Sequence, residues 1–197
     1  MIEYIKGEIA ELTPALMVME TGGIGYAICI SLNTYTAFSG KQSGKIYIHE
    51  VIREDTHQLY GFAEQAEREL FLLLISVSGV GANTARMILS SLPPAELTAA
   101  IADKNETLLT NVKGIGAKTA QRILIDLKNK VKMPASSTST GINTLNTSNN
   151  AVAEEAVAAL IMLGFQKNTS QKAVLSILKL SPTAAVEQVI KSALRML

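Results

Sequence analysis

Leu74-Ile75-Ser76-Val77-Ser78-Gly79-Val80-Gly81-Ala82-Asn83-Thr84-Ala85-Arg86-Met87-Ile88-Leu89 is answered, at a constant offset of 35, by Leu109-Thr110-Asn111-Val112-Lys113-Gly114-Ile115-Gly116-Ala117-Lys118-Thr119-Ala120-Gln121-Arg122-Ile123-Leu124. The two copies share the opening leucine, the valine, both glycines, the alanine after them, the threonine, the next alanine and the closing Ile-Leu, nine of sixteen positions. Solenoids also repeat at such periods, but two copies without a third indicate a paired motif. Each copy reads as a helix, a Gly-apolar-Gly turn and a second helix. Glycine permits positive φ and lets backbone amides come close to a ligand, while Val80 or Ile115 plugs the turn into the helix pair. The amides then lie beside the N-terminus of the following helix, where unpaired N–H groups and the helix dipole attract an anion. Such a turn is a cradle for one phosphate. The residues expected to form it are Gly79, Val80, Gly81, Ala82, Asn83 and Thr84 in the first copy, and Lys113, Gly114, Ile115, Gly116, Ala117, Lys118, Thr119 and Arg122 in the second. Asn83 stands where the second copy has Lys118, so the second hairpin is expected to carry more of the electrostatic energy. Contacts of this kind position a nucleic-acid backbone and read no bases, so binding should be sequence-independent and sensitive to salt. A single copy would also be compatible with an ordinary αα-hairpin; two in register with the same apolar residues behind them argue against it.

Outward from the repeat, the hydrophobic period is helical: Leu70, Leu73, Leu74 and Val77, then Ala85, Ile88, Leu89 and Leu92, then Ala120, Ile123, Leu124 and Leu127. The preceding residues read instead as five short strands, Ile2 to Glu11, Leu16 to Thr21, Tyr26 to Leu32, Lys45 to Arg53 and Gln58 to Phe62. A barrel of the OB type hides the edges of five strands economically. Residues 134–150 are Ser, Thr, Asn and Gly with only Ile142 and Leu145 as large apolar residues, too little to offset the entropy of ordering them. Three apolar stripes follow: Val152, Ala156, Ala159, Leu160 and Leu163; Val174, Ile177 and Leu178; and Val186, Val189, Ile190, Ala193, Leu194 and Leu197. Ser181-Pro182 reads as the start of the last helix, with Ser as N-cap. The expected fold is α+β and multidomain: an OB-like β-barrel (1–64), an all-α domain with the paired hairpins (65–133), a flexible linker (134–150) and a three-helix partner-binding module (151–197), whose small size favours exposed apolar surface for a partner.

The net charge of +1 hides an uneven distribution. Residues 1–64 carry four Lys/Arg against eight Asp/Glu, residues 65–133 nine against six, and residues 134–197 five against three, so the hairpin region is the basic one. Cys29 has no partner for an internal disulfide, and the lack of zinc-ligand spacing fits a reducing compartment. Without a membrane-length apolar run or a signal-peptide start at Met1-Ile2-Glu3-Tyr4, the expected location is the cytoplasm. No Gly-x-x-x-x-Gly-Lys-Ser/Thr string occurs, so ATP hydrolysis would have to come from another protein. Gly22-Gly23-Ile24-Gly25 lies between strands and reads as a turn or bulge. His49 and His57 lack a ligand array, and Cys29 reads as buried and inert. No catalytic residue, metal or cofactor is assigned; a triad from distant parts of the chain stays open.

The repeated turn closely resembles the helix-hairpin-helix family, and the whole chain resembles the RuvA family, the DNA-binding subunits of the bacterial complex that moves Holliday junctions. The likeness rests on Gly22-Gly23-Ile24-Gly25-Tyr26, on Arg53-Glu54-Asp55 with Leu59-Tyr60-Gly61-Phe62, on both hairpins, and on Glu155-Ala156-Val157-Ala158-Ala159-Leu160 with Leu163-Gly164-Phe165. The linker matches least. The resemblance implies a homotetrameric plate, or two such plates facing each other, with an open four-way junction lying flat upon it, and a role in recombination, DNA repair and the SOS response. It also implies an acidic pin at Glu54 and Asp55, which the residues alone would give as a solvated turn; carboxylates at a crossover would repel phosphates and steer strands apart. It implies docking on RuvB, a hexameric ATPase motor, through Leu160, Leu163, Gly164 and Phe165, each of which taken singly fits a core position better, with the RuvC junction resolvase as a further partner. A tether suits that docking by raising effective concentration without fixing orientation.

Paired hairpins also serve as the DNA-holding part of structure-selective nucleases and glycosylases, which need a carboxylate cluster or a catalytic Asp/Lys nearby. Glu96, Asp103, Glu106 and Asp126 form no compact set in the sequence. A protein-interaction scaffold, in which the hairpins only pack, is the remaining reading.

Overall fold

The computed structural model describes residues 1–131, 147–181 and 184–196. The chain divides into two compact units, Met1–Ala135 and Ser136–Leu197. Residues 134–146 of the expected linker lie outside the described residues, and the expected linker's last four residues already belong to a helix.

The first unit opens with a closed barrel of β1 (Tyr4–Leu12), β2 (Leu16–Thr21), β3 (Ile24–Ile30), β4 (Ser43–Ile52) and β5 (His57–Phe62), in the order β1-β2-β3-β5-β4. Only β3 and β5 run parallel. Alternate residues point inward, and Ile5, Met17, Met19, Ile28, Ile30, Ile46 and Ile48 fill the interior. A register shift between Ile9 and Glu11 marks a bulge in β1, the usual device for bending a strand around a small barrel. Gly22 and Gly23, both at positive φ, turn β2 into β3, as expected for that glycine cluster.

The stretch after β3 is helix α1 (Leu32–Phe38), not a continued strand and loop. Its threonines, tyrosine and phenylalanine are poor helix formers, so tertiary contacts hold it. Ser31 caps it by accepting from the Thr34 amide, Phe38 is buried, and the Asn33 side-chain amide donates to the Leu89 carbonyl.

The helices that follow are α2 (Gln65–Ile75), α3 (Ala82–Ser91), α4 (Pro94–Ala102), α5 (Glu106–Thr110) and α6 (Ala117–Leu127). The three periodic apolar sets meet in one core, with Leu74, Ala85, Ile88, Leu89, Ala120, Ile123 and Leu127 fully buried. That core continues into the barrel: Phe71 of α2 packs 5.2 Å from the Tyr60 ring and 4.9 Å from that of Phe62, both on β5. Barrel and helices are therefore joined through shared packing, and Cys29 sits half-buried at its margin rather than fully enclosed.

Polar ties reinforce the junction. Glu67 of α2 is buried and accepts hydrogen bonds from the Ser31 and Thr34 hydroxyls, while Arg68 forms a bidentate pair with Glu3. Burial pushes the Glu67 carboxyl up, and the two hydroxyls only partly offset this. The Arg68 guanidinium holds the Glu3 carboxyl below its usual value.

The second unit contains α7 (Thr147–Met162), α8 (Lys167–Leu180) and α9 (Val186–Leu194), packed around Ala156, Leu160, Ala173, Val174, Val189 and Ala193. Ser181 does not start the last helix. It is the C-cap of α8, its amide donating to the Ile177 carbonyl, and α9 begins at Val186 with Ala185 as N-cap. Pro182 lies outside the described residues.

Candidate nucleic-acid interface

The two glycine turns have one backbone geometry. In the first, the Val80 amide donates to the Val77 carbonyl at 3.0 Å; in the second, the Ile115 amide donates to that of Val112 at 3.1 Å. Gly79 and Gly114 lie at φ +92° and +90°, where an L side chain is strained. Gly81 and Gly116 are the N-caps of α3 and α6, at φ −85°, ψ 169° and φ −85°, ψ 165°. Val80 and Ile115 are each 5% exposed, the plugs that hold the turns to the core.

The second glycine of each pair differs from the first. Its backbone is extended and open to any residue, and a Cβ built on Gly81 or Gly116 meets nothing within 4 Å. Conformation does not demand glycine there, and the absent side chain leaves the start of the helix open.

These are two unusual helix starts. In the first unit, α2, α4 and α5 carry Glu67, Glu96 and Glu106 in their first turns, and α1 is capped by Ser31. Neither α3 nor α6 has a side-chain cap or a first-turn carboxylate. Nothing in their own first turns, neither a capping side chain nor a carboxylate, meets the helix dipole there.

The side chains around the two turns differ. Lys113, Ala117 and Lys118 are exposed, and Thr119 is half-buried. In the first hairpin Ala82 is buried, Thr84 is half-buried, and Asn83 is exposed with its Oδ1 3.2 Å from the Tyr60 hydroxyl, a contact that periodicity and spacing gave no sign of. Arg122, expected to reach a phosphate, donates through Nη1 to the Ser78 carbonyl at 3.2 Å and so links α6 to the first turn. Arg86 donates in the same way to the Ala15 carbonyl of the β1–β2 turn, at 3.1 Å.

Glu54 and Asp55 are exposed at the tip of the β4–β5 turn, which the Arg53 amide closes onto the Thr56 carbonyl at 2.8 Å. At its base Glu50 accepts from the Ile2 amide and lies 3.0 Å from His57 Nε2; these contacts, the amide foremost, hold its carboxyl below the usual value. His49 packs against Phe71, and burial lowers its imidazole pKa.

Near the hairpins Glu106 accepts from the Gln121 amide at 3.1 Å, and among the described residues no group of three or more His, Cys, Asp or Glu side chains is placed to hold a metal ion. No helix among them is long and apolar enough to cross a membrane.

The four residues expected to meet a motor separate. Leu160 is fully buried and packs the module's own core, so it presents no side chain to a partner. Leu163 is 60% exposed beside the still more exposed Met162, and Phe165 is half-buried. Gly164, at φ +98°, ends α7: its amide donates to the Ile161 carbonyl and the Phe165 amide to that of Leu160, a Schellman arrangement that projects Leu163 outward.

Comparison with known proteins agrees with this architecture. Residues 1–61 match the family model of the RuvA N terminal domain, residues 71–129 that of the SAM-like helix-hairpin-helix tandem, and residues 151–197 that of the RuvA C-terminal domain. Three relatives, each called Holliday junction branch migration complex subunit RuvA, align over the full length of both chains. They come from Parabacteroides distasonis at 72% identity, Bacteroides fragilis at 61% and Porphyromonas gingivalis at 52%. With its barrel, its paired hairpins and its terminal helical module each matched in order, the chain belongs to the RuvA family.

Proposed function

We propose that this protein binds four-way DNA junctions by shape and charge and holds them open for branch migration in recombination and repair. The observation that carries the reading is the pair of matching turns, each ending in an uncapped helix start with no carboxylate and with open space where a side chain would be. Two phosphate cradles per chain are suited to a duplex arm, and four equivalent arms are matched by four equivalent subunits, so the working form is a homotetramer, with an octamer formed by two plates. The contacts go to backbone and not to base edges, which makes recognition independent of sequence.

The exposed carboxylates of Glu54 and Asp55 are the acidic pin that keeps strands apart where the arms meet. The chain itself is non-catalytic. The work of migration comes from RuvB, a hexameric ATPase that docks on the C-terminal module beside Leu163, and RuvC acts on the same junction. The protein works in the cytoplasm. The nuclease or glycosylase reading has less support, because among the described residues Glu96, Asp103, Glu106 and Asp126 form no group placed to hold a metal ion, and Glu106 is paired with Gln121.

A gel-shift titration against a synthetic four-way junction and a duplex of equal length, at two salt concentrations, tests the reading. The junction should bind much more tightly, with affinity falling steeply as salt rises. Neutralising the pin as Glu54→Gln with Asp55→Asn should reduce the preference for junction over duplex by several-fold. Equal affinity for the two DNAs would remove the junction assignment, and an unchanged preference in the double variant would remove the pin.

A further inference from the structure

Building on the junction-binding reading, we propose that Tyr60 is a positioning residue that presents the side-chain amide of Asn83 to a backbone phosphate, making Asn83 the uncharged counterpart of Lys118. Both residues are the second of their helices, immediately after the glycine turn. A lysine in that place needs no orientation, because its ammonium donates in every direction. An asparagine does: turned one way it offers two N–H donors to a phosphate, turned the other it offers an oxygen that repels it.

The Tyr60 hydroxyl removes that ambiguity. Its ring is buried on β5 and fixed 5.2 Å from Phe71, and its oxygen lies 3.2 Å from Asn83 Oδ1. A hydroxyl has one proton to give. The hydroxyl's other acceptor is Gln58 Oε1, 3.1 Å away, but that side chain is exposed, and a flip of its amide would bring the NH2 end inward to donate to the tyrosine oxygen. With Gln58 turned in that way the tyrosine proton goes to Asn83 Oδ1, which leaves the Asn83 NH2 end unengaged by Tyr60, on the second residue of α3. Burial pushes the Tyr60 hydroxyl up, which keeps it a donor. The arrangement also ties the first cradle to the strand that follows the Glu54-Asp55 turn.

An uncharged donor releases no counterion, so its removal should weaken binding without changing the salt dependence, unlike the loss of a lysine. The experiment is a junction gel shift across a salt series with Tyr60→Phe, Asn83→Ala, the two combined, and Asn83→Lys with and without Tyr60→Phe; thermal melts check the fold. Tyr60→Phe should bind the junction about fivefold to tenfold more weakly, with an unchanged slope of affinity against salt. The combined variant should be no weaker than Asn83→Ala, because the hydroxyl acts through the amide. Asn83→Lys should steepen the slope by about 0.9 and make binding indifferent to Tyr60→Phe. Unaltered binding by Tyr60→Phe, full additivity in the combined variant, or a loss that Asn83→Lys does not rescue would each overturn the proposal. Failure of the unaltered protein to prefer a junction would instead overturn the reading beneath it.

Discussion

The first and second hairpins share a backbone and differ in what surrounds it. Around the first, the ties run mostly to the barrel and to α1: Asn83 to Tyr60, Arg86 to Ala15, Asn33 to the end of α3, and the Leu32 amide to the Ser90 hydroxyl at 3.1 Å, with Arg122 of the second hairpin adding one at the Ser78 carbonyl. Around the second, Lys113 and Lys118 are exposed and Gln121 is tied only to the neighbouring Glu106. On the proposed function, a duplicated motif is thus divided between two tasks. The backbone cradle is retained twice, because it depends on glycines and a plug; the side chains on one copy set its position against the barrel, and those on the other supply charge.

The largest effects should come from the glycines, and they separate the two roles of the pair. Gly81→Val and Gly116→Val place bulk on extended backbone with open space around it, so the fold and melting temperature should hold while a phosphate is kept from the amides. Each should lower junction affinity by about a hundredfold, the loss of two or more charge-assisted hydrogen bonds. Gly114→Val, at φ +90°, should also destabilise the protein. If Gly81→Val binds normally while Gly116→Val does not, the first hairpin is an anchor only and the comparison fails at its root.

Lys113→Ala with Lys118→Ala should come next. Affinity at moderate salt should fall about tenfold or more, and the slope of log affinity against log salt should drop by about 1.8, the value for two phosphate contacts. An unchanged slope would mean that neither lysine reaches DNA and that the charge difference between the hairpins is incidental.

How much of this the sequence carried follows from the range of each interaction. The hairpins were legible because their requirement is local: a glycine at positive φ, a glycine without a side chain, and an apolar plug occupy three consecutive positions, and duplication supplies an internal control. The barrel was legible because inward and outward residues alternate, as in the Ile28 and Ile30 pair. Helix α1 was not, since its threonines and aromatics favour extended structure and the contacts that hold it come from Leu89 and Ser90, more than fifty residues away. The same holds for Tyr60 with Asn83 and for Glu67 with Ser31 and Thr34: a hydroxyl in a strand signals nothing until folding brings its partner. Leu160 and Leu163 had equal claims to the surface by composition, and Gly164 decided between them by ending α7 where it does.

The smallest predicted effect probes the anchoring side through pH. Glu67 lies at the seam where α1, the end of the barrel and α2 meet, with its carboxyl pushed up by burial. A carboxyl raised in the folded state binds its proton more tightly there than in the unfolded chain, so its contribution to stability is greatest below the ordinary carboxylate value of 4.5 and is lost as pH rises through the higher folded value. Glu3 and Glu50 act with the opposite sign: their carboxyls are lowered, so what they contribute is present above 4.5 and lost as pH falls below it. The two pH windows therefore adjoin without coinciding. In Glu67→Gln the decline in melting temperature as pH rises above 4.5 should flatten, by a few degrees at most, while the acid limb below 4.5 persists. Junction affinity at neutral pH should change little, because the seam positions the first hairpin and does not touch DNA. A melting profile that keeps that decline in the variant would show that Glu67 does not titrate at the seam. A large loss of junction binding with an intact fold would show that the first hairpin depends on this carboxylate as closely as on Tyr60, and would extend the anchor from the strand that meets Asn83 to the helix that leads into the turn.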